Sequence, residues 1–267
     1  MPVKNLVEVF NDTLKQCREN PVLRESVKLG IENTKMYDSG FHTEKRPLYD
    51  NCKISVVNNR SLTVAEPLAE KYNKVAVLNF ADPYEPGGLV KYGETTQEEA
   101  LCRCSTLYPV ISDKKFDEFF YEYHTEYANE KYLSDRILYS PDMTVFKTDT
   151  DLPQMRENFF KADIITSTAP ALFDNEKYDS NTLFKIHKSR IRTIFQSAMD
   201  NDADSIVLGA FGCGAFRNPP EIVAQAFYDV IISENYNYCF KEIVFPVFVC
   251  NKRDEKNFRI FSEMFGK

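Results

Sequence analysis

The sequence predicts an α/β domain with helices on both faces of a sheet. Three observations carry that expectation. Strand-like and helix-like segments alternate from Ile54 onward, as in layered α/β proteins. Two of the strand-like runs, VAVLNF at 75–80 and SIVL at 205–208, are nearly continuous in apolar residues, the pattern of strands buried on both faces. Each run leads into a glycine-bearing loop and then a helix, which is where open α/β sheets bind ligands.

The elements follow in order. Residues 3 to 38 read as two helices parted near Asn20-Pro21. Val3, Leu6, Val7, Phe10 and Leu14 form one stripe, and Val22, Val27, Ile31 and Met36 a second. Tyr37 to Asn51 carries Gly, Pro and Asp punctuation and reads as a loop. Ile54 to Val57 is strand-like, Pro67 to Tyr72 a short helix, and Val75 to Phe80 a buried strand. A helix is expected from about Thr96 to Leu107, and a charged, aromatic one over 113 to 128. Thr144 to Phe146 and Asp163 to Ser167 read as strands, and Asn181 to Met199 as a long helix. Strand Ser205 to Leu208, helix Pro219 to Ser233, strand Ile243 to Val249 and a helix after Asp254 complete the chain.

The 267 residues suffice for one large domain, or for a domain of about 200 residues with an extension. A net charge of −7 makes non-specific nucleic-acid binding a poor expectation, because such binding rests on phosphate neutralisation. A phosphate-bearing ligand held by backbone N–H groups stays open. Seven cysteines and three histidines show no CxxC pair and no zinc-ligand spacing, so reduced thiols, a cytoplasmic location and no metal are expected. No run approaches the roughly 20 apolar residues that cross a bilayer. The basic run Lys185, Lys188, Arg190 and Arg192 reads as the solvated face of its helix.

In GAFGCGAFRNPP, Gly209, Gly212 and Gly214 alternate with small residues and Asn218-Pro219-Pro220 restarts a helix. The loop is either a phosphate cradle or a tight turn, since it fits neither the Walker pattern nor GxGxxG. Cys213 reads as a small packing residue with no histidine near it in sequence. Glu98 and Glu99 open the helix after the first loop. Acids there suit the helix dipole, so the pair is either helix chemistry or the acid of an active site.

Taken together, NFADPYEPGGL, eight intervening residues between Gly88 and Gln97, QEEALCRCSTLY and GAFGCGAFRNPP resemble the signature of the microbial-type poly(ADP-ribose) glycohydrolases. The resemblance spans roughly residues 52 to 250. It implies a macrodomain-like three-layer α/β/α fold with a mixed sheet. Residues 1–45 would be a helical extension packed on the core, and 46–267 the glycohydrolase domain. It also implies hydrolysis of ribose–ribose O-glycosidic bonds, with Glu99 as catalytic acid and Glu98 positioning the ribose. Asn79, Gly87, Gly88, Gln97, Gly209, Gly212, Cys213, Gly214, Ala215 and Phe216 would bind substrate, with GAFGCGAF around the diphosphate. The family's third glycine is Leu89 here, a side chain that either narrows the site or points into the core. A mono-ADP-ribosyl hydrolase and an ADP-ribose-binding module stand as alternatives. ADP-ribose or an ADP-ribosylated macromolecule is the expected partner of a monomer that needs no cofactor.

Overall fold

The computed structural model describes residues 2–126, 132–172 and 177–266, and only the backbone of residues 2–4. Seven strands form one sheet: β1 (Lys35–Tyr37), β2 (Lys53–Val57), β3 (Val75–Phe80), β4 (Ile137–Lys147), β5 (Met155–Ser167), β6 (Ser205–Val207) and β7 (Glu242–Pro246). They lie in the order β1-β4-β5-β3-β6-β7-β2. The five strands from β5 to β2 are parallel, while β4 and β1 add an antiparallel edge, so the sheet is mixed.

Successive residues of β3 serve opposite faces, as the two-residue strand period requires. Ala76 and Leu78 join a core with helices α7 (Ser180–Asp200), α8 (Pro220–Tyr228) and α9 (Lys252–Phe265), through Phe195, Phe227 and Phe261. Val75 and Val77 face the other way. There they meet α1 (Pro2–Glu19), α3 (Ser61–Lys71), α4 (Gln97–Cys104) and α5 (Leu107–Ile111), through Phe10, Leu68, Leu101 and Leu107. These are the three layers that the alternating pattern and the family resemblance implied.

The N-terminal helices part where expected. The Asn20 side chain accepts the N–H groups of Val22 and Leu23 at the start of α2 (Pro21–Asn33), a cap reinforced by proline in the first turn. The second helical stripe, however, ends early. Lys35–Tyr37 is an edge strand paired with Ile137–Tyr139, so the stretch expected as an extension contributes to the sheet. The Tyr37 hydroxyl donates to Asp200 Oδ2 at 2.6 Å, and its ring packs in the core.

Other helices also differ from expectation, and the one expected from Thr96 to Leu107 divides into α4 and α5. α3 begins at Ser61 and holds Pro67 inside it. Burial of Leu62, Ala65 and Leu68 against the sheet offsets the roughly 3 kcal/mol that an interior proline costs. The segment from 113 is a 3₁₀ turn (Lys114–Phe116), a π-helical turn (Asp117–Tyr121) and α6 (Glu122–Glu126). The widened turn brings Phe116, Phe120, Tyr121 and His124 inward together. Residues 127 and 128 of the expected helix lie outside the described residues. No helix among the described residues is long and apolar enough to cross a membrane.

Candidate active site

Loops leaving the carboxyl ends of β3, β6 and β7 surround a cleft of about 650 Å³, a size suited to a nucleotide-like ligand. The loop after β3 and the start of α4 contribute Asp82, Leu89, Thr96, Glu98 and Glu99 to its lining, and the loop after β6 contributes Gly212, Gly214, Ala215 and Phe216. The two loops singled out in the sequence therefore line one space.

The loop after β3 depends on two glycines in the left-handed region, Gly87 at φ +72° and Gly88 at φ +54°. A Cβ on Gly87 would come 2.7 Å from the Tyr108 ring, and one on Gly88 2.7 Å from Glu99 Oε1. Without those carbons the loop lies directly on α4. Leu89 has an ordinary φ of −96°, so glycine is not required there. Its side chain is 49% exposed and lines the cleft, which decides between the two orientations open in the sequence. Its N–H donates to Glu99 Oε1 at 3.1 Å.

Helix α4 presents its acids in the first turn, and both are buried, Glu98 at 2% and Glu99 at 5% exposure. Glu98 borders the cleft while its carboxylate is bonded to β3 and the loop after it. Its Oε1 accepts from Asn79 Nδ2 at 3.2 Å and its Oε2 from Asp82 N–H at 2.7 Å. Burial, reinforced by the Glu99 and Asp82 carboxylates, pushes Glu98 well above the usual carboxylate range despite those donors. Glu99 instead accepts from Leu89 N–H on one oxygen and from the Thr96 hydroxyl on the other. The helix start is clamped by Gln97, which accepts Phe80 N–H at 2.9 Å and donates to Leu78 O at 2.7 Å and Ser61 Oγ at 3.1 Å. Gln97 thus spends its amide on β3 and α3.

In the loop after β6, Gly209 stands at φ +139° against the Phe80 ring, and Gly212 at φ +75° against Ala169. Gly214 would meet nothing within 4 Å if it carried a Cβ. The N–H groups of Gly212, Gly214, Ala215 and Phe216 have no acceptor among the described residues. Such a run of unspent amides makes an anion-binding concavity. Asn218 holds its shape: Nδ2 donates to Pro170 O at 2.7 Å and Gly212 O at 3.0 Å, and Oδ1 receives His187 Nε2 at 2.9 Å. His187 donates through Nε2 there, and burial pushes it down to about 4, so it is neutral at physiological pH.

Of the residues expected to form the site, Gln97, Glu98, Glu99, Gly212, Gly214, Ala215 and Phe216 line the cleft, while Asn79, Gly87, Gly88, Gly209 and Cys213 stand behind it. Asn79 is fully buried beneath Glu98. The Cys213 thiol is buried and pushed up by burial, a packing group. Asp82 and the Asn218–His187 pair were not legible beforehand, because Glu98 bonds the one and His187 the other from far along the chain; Thr96 stands at cap spacing, but its bond to the Glu99 carboxylate is not the one that spacing signals. The basic run is not a solvated face at Arg190, which is 1% exposed. It donates to Asp135 Oδ1 at 3.1 Å and to the carbonyls of Thr168 and Tyr132 at 2.7 Å each. Lys188 and Arg192 pair with Glu234, and none of the four lines the cleft.

Residues 7–148 match the family described as "Microbial-type PARG, catalytic domain". No curated protein is matched by sequence. Among solved structures, poly(ADP-ribose) glycohydrolase from Thermomonospora curvata superposes with a TM-score of 0.85 at 24% identity, over 97% of this chain and 99% of that one. The structure of that enzyme bound to the inhibitor ADP-HPD gives 0.81 at 24% identity over the same shares. The Deinococcus radiodurans glycohydrolase in complex with ADP-ribose gives 0.77 at 24% identity, over 89% of this chain and 96% of that one. These likenesses establish a shared fold. Since the family match extends over more than half of its length, the chain belongs to the microbial-type poly(ADP-ribose) glycohydrolase catalytic-domain family.

Proposed function

We propose that this protein hydrolyses the ribose–ribose O-glycosidic bond of poly(ADP-ribose) to release ADP-ribose, with Glu99 as acid and then base. The carrying observation is that Glu99 lines the same cleft as a loop whose four amides are unspent among the described residues. A diphosphate on those amides would place the attached ribose toward the acid. The Glu99 proton passes to the departing ribose oxygen as the C–O bond breaks. Water then adds to the oxocarbenium carbon and returns a proton to Glu99. Most glycosidases divide these duties between two carboxylates, whereas one can perform both in turn because the second step reverses the proton transfer of the first. Glu98, buried and bonded to Asn79 and Asp82, holds the loop and orients the ribose.

We take ADP-ribose as the recognised unit and a single chain as the working form. Seven free thiols fit a reducing, cytoplasmic setting, and the −7 charge argues against non-specific nucleic-acid binding. A second reading, a mono-ADP-ribosyl hydrolase or a binding module, is favoured by the exposed Leu89 side chain in the cleft. Product analysis after incubation with poly(ADP-ribose) and with mono-ADP-ribosylated protein separates these. Free ADP-ribose from polymer, lost in Glu99→Gln while ADP-ribose binding survives, is the expected result. Full activity in that variant would overturn the role of Glu99.

A further inference from the structure

Thr96 precedes α4 and Glu99 lies three residues on, the spacing of a capping box, in which hydroxyl and carboxylate each bond the other residue's backbone N–H. The structure has a different arrangement. Thr96 makes no side-chain cap bond. Its hydroxyl donates to Glu99 Oε2, and Leu89 N–H donates to Oε1. Arg103, buried at 3% exposure, donates from Nη1 to Glu94 O at 2.5 Å, two residues before Thr96. Thr96 itself is exposed and lines the cleft beside Glu99.

The two donors are not equivalent. A backbone N–H can only donate, so a proton on Oε1 would oppose the proton of Leu89. A hydroxyl has one proton and two lone pairs, so it serves Oε2 in either protonation state by rotating. We infer that Thr96 is a positioning residue for the reaction, fixing Glu99 Oε2 as the oxygen that gives and takes the proton. The inference rests on the reading of Glu99 as acid and base. In the first step the Oε2–H bond breaks, its proton joins the leaving ribose oxygen, and that oxygen keeps the electron pair of the broken C–O bond. Thr96 then donates to the new carboxylate and holds it in place. In the second step water oxygen bonds to the cationic carbon and its proton returns to Oε2. The balance is the addition of one water, with Thr96 unchanged.

The test uses Thr96→Val, Thr96→Ala and Thr96→Ser in the full chain. It measures kcat and KM on poly(ADP-ribose), calorimetric Kd for ADP-ribose, and Tm. Loss of the hydroxyl should lower kcat by about 10- to 100-fold, the scale of a misplaced catalytic group. ADP-ribose affinity and Tm should stay at wild-type values, and serine should restore most of kcat. Wild-type kcat in Thr96→Val overturns the inference, as does an equal loss in the serine variant. A fall in Tm and affinity matching the fall in kcat would make Thr96 a helix-capping residue only, and also overturns it. Glu99→Gln is the parallel control. If that variant stays active, the reading of Glu99 fails; if it is inactive while Thr96→Val is not, only the role of Thr96 fails.

Discussion

Gly88 lies directly over the Glu99 carboxylate, where an added Cβ would come 2.7 Å from Oε1 and 3.3 Å from Glu98 Oε2. The glycine pair therefore does more than turn the chain, because it lets a backbone N–H one residue later reach Glu99. Gly88→Ala is expected to push the carboxylate aside and to lower kcat by about 100-fold. Gly40→Ala is the control, since Gly40 shares a positive φ of +83° but has nothing within 4 Å. Equal activity loss in both variants would mean that backbone strain, and not displacement of Glu99, is responsible.

Leu89 can be returned to glycine at small cost, about 1 kcal/mol of chain entropy or less, because its side chain is half exposed. Removing that side chain opens the cleft beside Glu99. Leu89→Gly is expected to raise polymer cleavage with fold and Tm little changed. Rates on poly(ADP-ribose) measured against a mono-modified protein decide it, and no change on either would show that the side chain does not meet substrate.

Gly214 and Gly212 should respond oppositely to added carbon. Gly214→Val extends into open cleft space, so Tm should hold while ADP-ribose affinity falls at least about tenfold, since a group occupying the proposed diphosphate position costs more than one lost hydrogen bond. Gly212→Ala meets Ala169 at 2.5 Å with φ at +75°, so it should lower Tm first. Calorimetric titration with ADP-ribose beside thermal unfolding reads both.

His187 and His124 are fully buried, and burial lowers each from 6.5 to about 4. Between those values the unfolded chain binds protons that the native chain does not. Their contribution is therefore complete above about pH 6.5 and is lost as pH falls toward 4. Each histidine should remove roughly 1 kcal/mol of stability per pH unit within that window. Urea unfolding at pH 7.5 and pH 5 measures it. His187→Gln, which keeps an N–H for Asn218, should show a shallower loss, and an unchanged slope would mean that His187 takes up its proton without unfolding.

Period and punctuation made much of the architecture legible. The nearly continuous apolar run at 75–80 reads as a strand covered on both faces, and Asn20-Pro21 marks a helix start by local bonding alone. Elements whose identity depends on partners were misread. Lys35–Tyr37 is a strand because Ile137–Tyr139 pairs with it, and α3 runs through Pro67 because its apolar face is buried.

The same division holds within the site. Local sequence placed Glu98 and Glu99 together at a helix start and put glycines in both loops, since spacing and backbone freedom are properties of the chain itself. It could not assign the two acids separate environments. Tertiary packing did that, burying Glu98 against Asn79 and Asp82 while leaving Glu99 to Leu89 N–H and the Thr96 hydroxyl. It likewise turned Leu89 toward the cleft and Arg190 into the interior. Apart from Thr96, these hydrogen-bond partners lie ten or more residues from the acid they bind, so they meet it only once the sheet has brought its loops to one edge.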